Sequence, residues 1–188
     1  QSAYVDRSWT LAGGTGPVTL LGVLAQHTAE TLAGIALHQL AAPGAPVVWG
    51  TAATIMDMRT GLAPIGGMET AMLAAGCAQI GKSLGLPTHA YLAATDAKLL
   101  DAQAGLESGM SALFGALAGI NMISGAGMLD SLAAFSAEKL LVDAEAIGMV
   151  NRLLGGFTQH GDTLATNAFA AAASGDGFAH HFLEIDET

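Results

Sequence analysis

At 188 residues the chain is long enough for one domain with a real core and too short to expect two. It is 52% hydrophobic and only 12% charged, and its 16 acidic against 6 basic side chains leave a net charge of −10, with no basic stripe to neutralise nucleic-acid phosphates. The single cysteine, Cys77, excludes an internal disulfide framework and a thiol-rich zinc site.

No basic n-region opens the chain, which gives the expectation of a cytoplasmic protein. In chain order, residues 8–14 predict a short strand running into a glycine turn. Pro17 suits the first turn of a helix, with Thr15 and Gly16 as possible caps. From there to about Ala42, Leu21, Leu24, Thr28, Leu32, Ile35 and Gln39 recur at three- and four-residue steps, one face of a helix. Pro43-Gly44-Ala45-Pro46 stops it, and Val47-Val48-Trp49 predicts a second strand. The connection from Thr51 to Gly67 is long, which is usual for functional loops. A second helix is predicted from about Met68 to Leu84, ended by Gly85 and Pro87.

The stretch from Pro87 to Ser108 reads as an extended segment, a small polar loop and an alanine-rich helix, with Asp96, Asp101, Gln103 and Glu107 close together at the joint. In parallel sheets and barrels the joint after a strand is where ligands sit, so this stretch is expected to form one wall of an active site. Its helix carries Leu99, Leu106, Met110, Leu113 and Leu117 on one stripe, and Gln103 falls inside that stripe. The 21 residues from Gly109 to Leu129 are uncharged and long enough to cross a bilayer. The step Gly119-Ile120-Asn121 instead predicts a helix ending and a strand beginning, with no membrane span. A fourth strand is expected over Asn121–Gly125, and a helix from Ser136 to about Leu154 with half of a capping box in Ser136 and Lys139. The tail from Asp162 to Ala173 is expected to be helical.

Four strand–helix units predict parallel pairing with right-handed crossovers: an α/β fold, half of a TIM-type (β/α) barrel plus a C-terminal helical tail, in one domain over residues 1–188. Half a barrel leaves open strand edges, which points to a homo-oligomer or to the remainder of a longer chain. Several chemistries are poorly supported. Gly14-Thr15-Gly16 lacks the third glycine of a dinucleotide fingerprint, Met122 stands where a nucleophile elbow at Ser124 needs glycine, and Gly81-Lys82-Ser83 does not open a helix. His180, His181, Glu184 and Asp186 have metal-binding side chains, but a solvated tail is the simpler reading, and no metal site is expected.

Six blocks resemble the trimethylamine methyltransferase family: Gly-Gly-Thr-Gly-Pro-Val-Thr-Leu (13–20), Ala-Glu-Thr-Leu-Ala-Gly (29–34), Pro-Gly-Ala-Pro-Val-Val-Trp-Gly (43–50), Met-Asp-Met-Arg-Thr-Gly (56–61), Thr-Asp-Ala-Lys-Leu-Leu-Asp-Ala-Gln-Ala-Gly (95–105) and Gly-Ala-Gly-Met-Leu-Asp-Ser (125–131). Their order and spacing hold from Gly13 to about Val150. The resemblance implies the C-terminal half of a TIM-type barrel and methyl transfer from a methylated amine to the cobalt of a corrinoid held by a partner protein. No pyrrolysine occurs in the chain, and members without it look like demethylases of quaternary amines such as glycine betaine.

The candidate substrate-binding residues are Asp57, Asp96, Trp49, Tyr91, Asp101 and Gln103. Asp96 and Asp101 suit either helix capping or a ligand. Asp57 has no evident capping task, which favours the site. Trp49 and Tyr91 end strands near the catalytic face, or are core. Gln103 and Glu107, one helical turn apart, can share a hydrogen bond. His27 and His38 read as packed or solvated, and His89 falls at the start of its strand, the wrong end for chemistry. A non-catalytic binder of quaternary amines is the rival reading; methyl transfer separates the two.

Overall fold

The computed structural model describes residues 4–158, 161 and 164–173. They divide into two compact units, residues 1–154 and 155–188. The first unit is a mixed α/β layer structure. Strands β1 (Tyr4–Ser8), β3 (Val47–Thr51), β5 (Thr88–Tyr91) and β6 (Met122–Ser124) form an open four-stranded sheet in the order β1-β3-β5-β6, and each neighbouring pair is parallel. Between them run helices α1 (Leu20–Ala41), α2 (Met68–Ser83) and α3 (Ala102–Leu117), with α4 (Ala137–Leu154) after β6. The strand order follows the chain without the reversal that marks a doubly wound sheet. In the second unit, α5 (Thr166–Ala173) falls within the expected helical tail. His180, His181, Glu184 and Asp186 lie outside the described residues.

The first strand departs from expectation. The sheet strand is 4–8, and residues 11–12 form a separate two-residue strand β2, paired in parallel with β4 (Thr54–Ile55). Backbone bonds from Ala52 N–H to Ser8 O, Thr54 N–H to Thr10 O and Met56 N–H to Ala12 O carry the β1–β3 pairing past the end of the sheet. The break comes where Ser8 and Thr10 turn their hydroxyls to each other at 2.8 Å and both donate to Glu30 of α1. Helix α1 begins later than Pro17 suggested: Thr19 is the cap, accepting from Gly22 N–H at 3.3 Å, while Thr15 accepts from Leu11 N–H and closes the glycine turn.

The face that α1 buries is not the leucine stripe. Val23, His27 and Thr31 face the sheet, and Leu21 and Leu40 are about four-fifths exposed, at 79% and 81%. His27 reaches the sheet with a ring N–H donated to Gly50 O at 3.1 Å. Burial lowers its pKa, against the backbone bond to Gly50 and the nearby Glu30 charge, so the neutral ring belongs to the fold. The same inversion occurs in α3, where Ala104, Ser108, Ser111, Ala112 and Gly115 pack inward and Leu106, Met110 and Leu117 are exposed; Leu99, expected on that stripe, is exposed in the loop before the helix. A helix with apolar residues on several sides does not announce its buried face by leucine spacing. Here the smallest side chains go in, because the backbones pack close. By length and composition α1 passes for a bilayer span. Its buried histidine and the Ser8–Glu30 bond tie it to the sheet.

Other expectations hold. α3 ends at a left-handed Gly119 (φ +69), and Ile120 N–H returns to Gly115 O, so the uncharged segment is a helix followed by β6. Ser136 accepts from Lys139 N–H at 3.1 Å as the cap of α4. Trp49, fully buried, lies against Gly81 of α2; a Cβ there would stand 2.8 Å from the indole Cγ and Cδ1 and 2.9 Å from Thr88 Cγ2. Gly81→Ala is therefore expected to destabilise the protein by about 1–3 kcal/mol through overpacking, read as a lower urea midpoint; an unchanged midpoint would mean that the indole moves aside freely.

Candidate active site at the C-terminal ends of the strands

Alternation along each strand separates two faces. Trp49, Thr88 and Ala90 turn toward α2, as the contacts of Gly81 and the shared core of Ala90 with Ala71, Ala74 and Ala78 show. His89, Tyr91 and Ser124 therefore lie on the opposite face, Tyr91 and Ser124 as the last residues of β5 and β6 and His89 two residues before the end of β5. Trp49 is thus a core residue between sheet and helix, turned away from that face. Tyr91 is half-buried beside it, its ring edge-on to His89 at 5.3 Å between centroids.

The loop after β5 is the best-fixed part of the rim. Leu92, Ala93, Ala94, Thr95 and Ala97 are buried, so their backbone groups need partners inside the protein. Side chains supply several of them. Ser111 Oγ accepts from Ala93 N–H at 3.0 Å, and Glu107 accepts from Thr95 Oγ1 at 2.5 Å and from Asp96 N–H at 2.8 Å. Asp96 binds outward to both neighbouring loops: Oδ1 accepts from Ile65 N–H at 2.7 Å and from Ser131 Oγ at 2.6 Å, and Oδ2 accepts from Gly66 N–H at 3.0 Å. One carboxylate thus joins the loops that follow β3, β5 and β6. The loop that holds Ser131 passes through three successive residues of positive φ, Asp130, Ser131 and Leu132, at +50°, +54° and +75°.

The remaining candidates have structural tasks. Asp101 is the cap of α3, accepting from Ala104 N–H at 3.0 Å. Gln103 is exposed, outside the buried face, and donates to Glu107 Oε1 at 2.8 Å, the one-turn pair that the spacing suggested. The sequence offers Asp57 no task, but the structure does. Its Oδ1 accepts from Arg59 N–H at 2.9 Å, and its backbone O accepts from Thr60 and Gly61 N–H, closing a tight turn within the long loop. The backbone N–H of Arg59, then Thr60 and the guanidinium, hold the Asp57 carboxyl below its ordinary range.

Two clusters escaped the sequence reading. Lys139, fully buried, donates from Nζ to Asp143 Oδ2 at 2.5 Å, to Ser108 Oγ at 2.8 Å and to Ala93 O at 3.3 Å; Asp143 also accepts from Gly127 N–H at 2.7 Å. The signal was present as a lysine and an aspartate four residues apart in a chain with 6 basic residues, but no pattern marks that pair as buried. The second is His89 Nε2 and Ser124 Oγ at 2.6 Å on adjacent strands. His89 is the second residue of β5, at the start of its strand as expected, yet its ring reaches Ser124, the last residue of β6. Cys77 is no nucleophile at neutral pH, since burial pushes its thiol up to about 11 despite a bond from Thr51. Among the described residues no three His, Cys, Asp or Glu side chains converge as a metal site would require.

The profile of the family described as trimethylamine methyltransferase (MTTB) matches residues 1–188. The chain is 40% identical over 181 residues to the trimethylamine methyltransferase MttB2 of Methanosarcina mazei, an alignment covering 96% of this chain and 36% of that one. It is 37% identical over 181 residues to the trimethylamine methyltransferase MttB of Desulfitobacterium hafniense, covering 96% and 36%. To a glycine betaine methyltransferase of the same species it is 37% identical over 187 residues, covering 99% and 38%. The chain thus spans a little over a third of the length of these curated relatives.

Proposed function

The chain belongs to the trimethylamine methyltransferase family, and from that premise we propose that it serves methyl transfer from a quaternary or tertiary methylated amine, of glycine betaine type, to the cobalt of a corrinoid carried by a separate protein. The match of the family profile over residues 1–188 carries this reading. Relatives named for trimethylamine and for glycine betaine lie at 40% and 37% identity, so similarity favours a methylated amine and leaves the choice of amine to experiment.

Reduced cobalt supplies the nucleophile as a second substrate. Its electron pair forms the new bond to the methyl carbon, and the carbon–nitrogen pair leaves with the amine. A quaternary ammonium departs as a neutral amine, with no proton to deliver. The protein must then orient the methyl group, exclude water and hold a diffuse cation. The loops after β3, β5 and β6, joined through Asp96 and Glu107, form a fixed rim for that task, and Tyr91 offers an aromatic ring at the strand end. We read the sheet, with its chain-ordered parallel strands and its edges at β1 and β6, as an arc of a TIM-type barrel. A homo-oligomeric partner or the remainder of a longer chain would cover those edges. The protein would act in the cytoplasm.

The test is methylation of cob(I)alamin followed by absorbance, using the complete natural chain with glycine betaine, choline, carnitine and trimethylamine. Methylcobalamin formed with one of them supports the reading and names the amine. A folded protein that binds an amine and never forms methylcobalamin would replace it with the binder reading.

A further inference from the structure

We infer that a single water molecule is bound in the core between α1 and β3, held by His27 Nδ1, Thr31 Oγ1 and Trp49 Nε1. The site is independent of the methyl-transfer reading and concerns how α1 is fastened to the sheet. His27, Thr31 and Trp49 are each 0% exposed. Their three polar atoms are shut off from bulk solvent, and none has a hydrogen-bond partner among the described residues. His27 and Thr31 stand one turn apart on the face of α1 that meets the sheet. The His27 ring lies 5.8 Å from the Trp49 ring between centroids, tilted by 60°. The three side chains therefore share one layer of the core.

Their chemistry is that of a water site. Gly50 O can only accept, so the 3.1 Å contact places the ring proton of His27 on Nε2. Burial keeps the ring neutral, which leaves Nδ1 with a lone pair. The indole Nε1–H can only donate, and the Thr31 hydroxyl can do both. A water that accepts from Trp49 and Thr31 and donates to His27 makes three bonds, the usual number for a buried water. Two hydrogen bonds through one oxygen span about 5–6 Å, which suits neighbouring side chains that do not bond one another directly. The water also accounts for the docking of α1. Of the side chains that α1 buries fully, only Val23 is apolar. Hydrophobic contact at that face is therefore small, and an imidazole nitrogen and a hydroxyl left without partners would oppose docking. Bound water makes both of them ties, beside the His27–Gly50 bond and the bonds of Ser8 and Thr10 to Glu30.

The experiment has two arms on the full natural chain: urea unfolding of Thr31→Val, and a crystal structure that resolves ordered water. Valine keeps the shape of threonine and deletes its hydroxyl. With the water bound, Thr31→Val removes one of its three partners and is expected to lower the folding equilibrium constant about tenfold. A hydroxyl without any partner gives the opposite sign, because its removal leaves the protein as stable as before or more stable. That result would overturn the inference. The crystal structure is expected to show one water within about 3.2 Å of His27 Nδ1, Thr31 Oγ1 and Trp49 Nε1. No water there, or a direct bond from Trp49 Nε1–H to His27 Nδ1, would overturn it whatever the stability of the variant. Neither arm depends on methyl transfer, so failure here leaves the proposed function untouched.

Discussion

Lys139→Met is expected to destabilise the protein by about 3–5 kcal/mol, the cost of leaving one partner of a buried ion pair alone. The ammonium is 0% exposed and the carboxylate of Asp143 2%, so water cannot replace the lost partner without opening the core. The substitution strips a donor from Ala93 O and Ser108 Oγ as well as from Asp143. Ala93 has φ +61°, a conformation that costs a residue with a Cβ about 1–2 kcal/mol and needs such contacts to persist. The pair also links the loops after β5 and β6, because Asp143 binds Gly127 N–H. Lys139→Met with Asp143→Leu removes both charges and is expected to cost less than the sum of the two single changes. It should not return to full stability, since Gly127 N–H and Ala93 O remain without their side-chain partners. Urea midpoints of the four proteins decide this. A Lys139→Met variant within about 1 kcal/mol of the unaltered protein would show that the lysine does not sit buried in solution.

The alternation of strands and helices, the glycine that ends α3 and the caps at Asp101 and Ser136 were legible because each depends on neighbours within four residues. What was not legible depends on distance. The buried faces of α1 and α3 are set by how closely each helix approaches the sheet, and Ser108, Ser111 and Gly115 carry no local mark of burial. Lys139 looked like a poor substitute for the glutamate of a capping box, yet its side chain reaches Ala93, 46 residues away in sequence. Asp57 looked like a site residue for want of a helix to cap, whereas its task is a turn that only the folded loop displays. His89 was set aside for its place at the start of its strand, and nothing local showed that its ring would meet Ser124 of the next strand. Asp96 was identified as a joint residue, and it lies at the joint. That it grips two loops at once could not be read from one stretch of chain.

Asp96→Ala is expected to cost about 3 kcal/mol and to loosen three loops together. Three donors lose their acceptor, Ile65 N–H, Gly66 N–H and Ser131 Oγ, and each buried donor left unpaired costs about 1–3 kcal/mol. Ile65 is 2% exposed and will lose most, while Asp96 itself is half-buried, so water recovers part of the rest. Gly66 adds a second reason for fragility, since its α-carbon packs directly on the Glu107 carboxylate that also holds Asp96 N–H. The loop carrying Ser131 has three left-handed residues in a row, and its other ties, Asp130 N–H to Ala97 O, Ser131 N–H to Thr95 O, Ala133 N–H to Asp130 O and the exposed Lys98–Asp130 ion pair, must then hold that strain. Amide exchange is therefore expected to accelerate at Ile65, Gly66 and Ser131 and to stay unchanged in α1. Asp96→Asn keeps one acceptor oxygen and should lose about half as much stability. Substrate kinetics separate this role from cation recognition. A clamp lowers stability whichever amine is offered and disturbs kcat together with KM as the rim loses its shape. A raised KM with unchanged stability and exchange would instead assign the Asp96 carboxylate to the ammonium group, and the clamp would have to lie elsewhere.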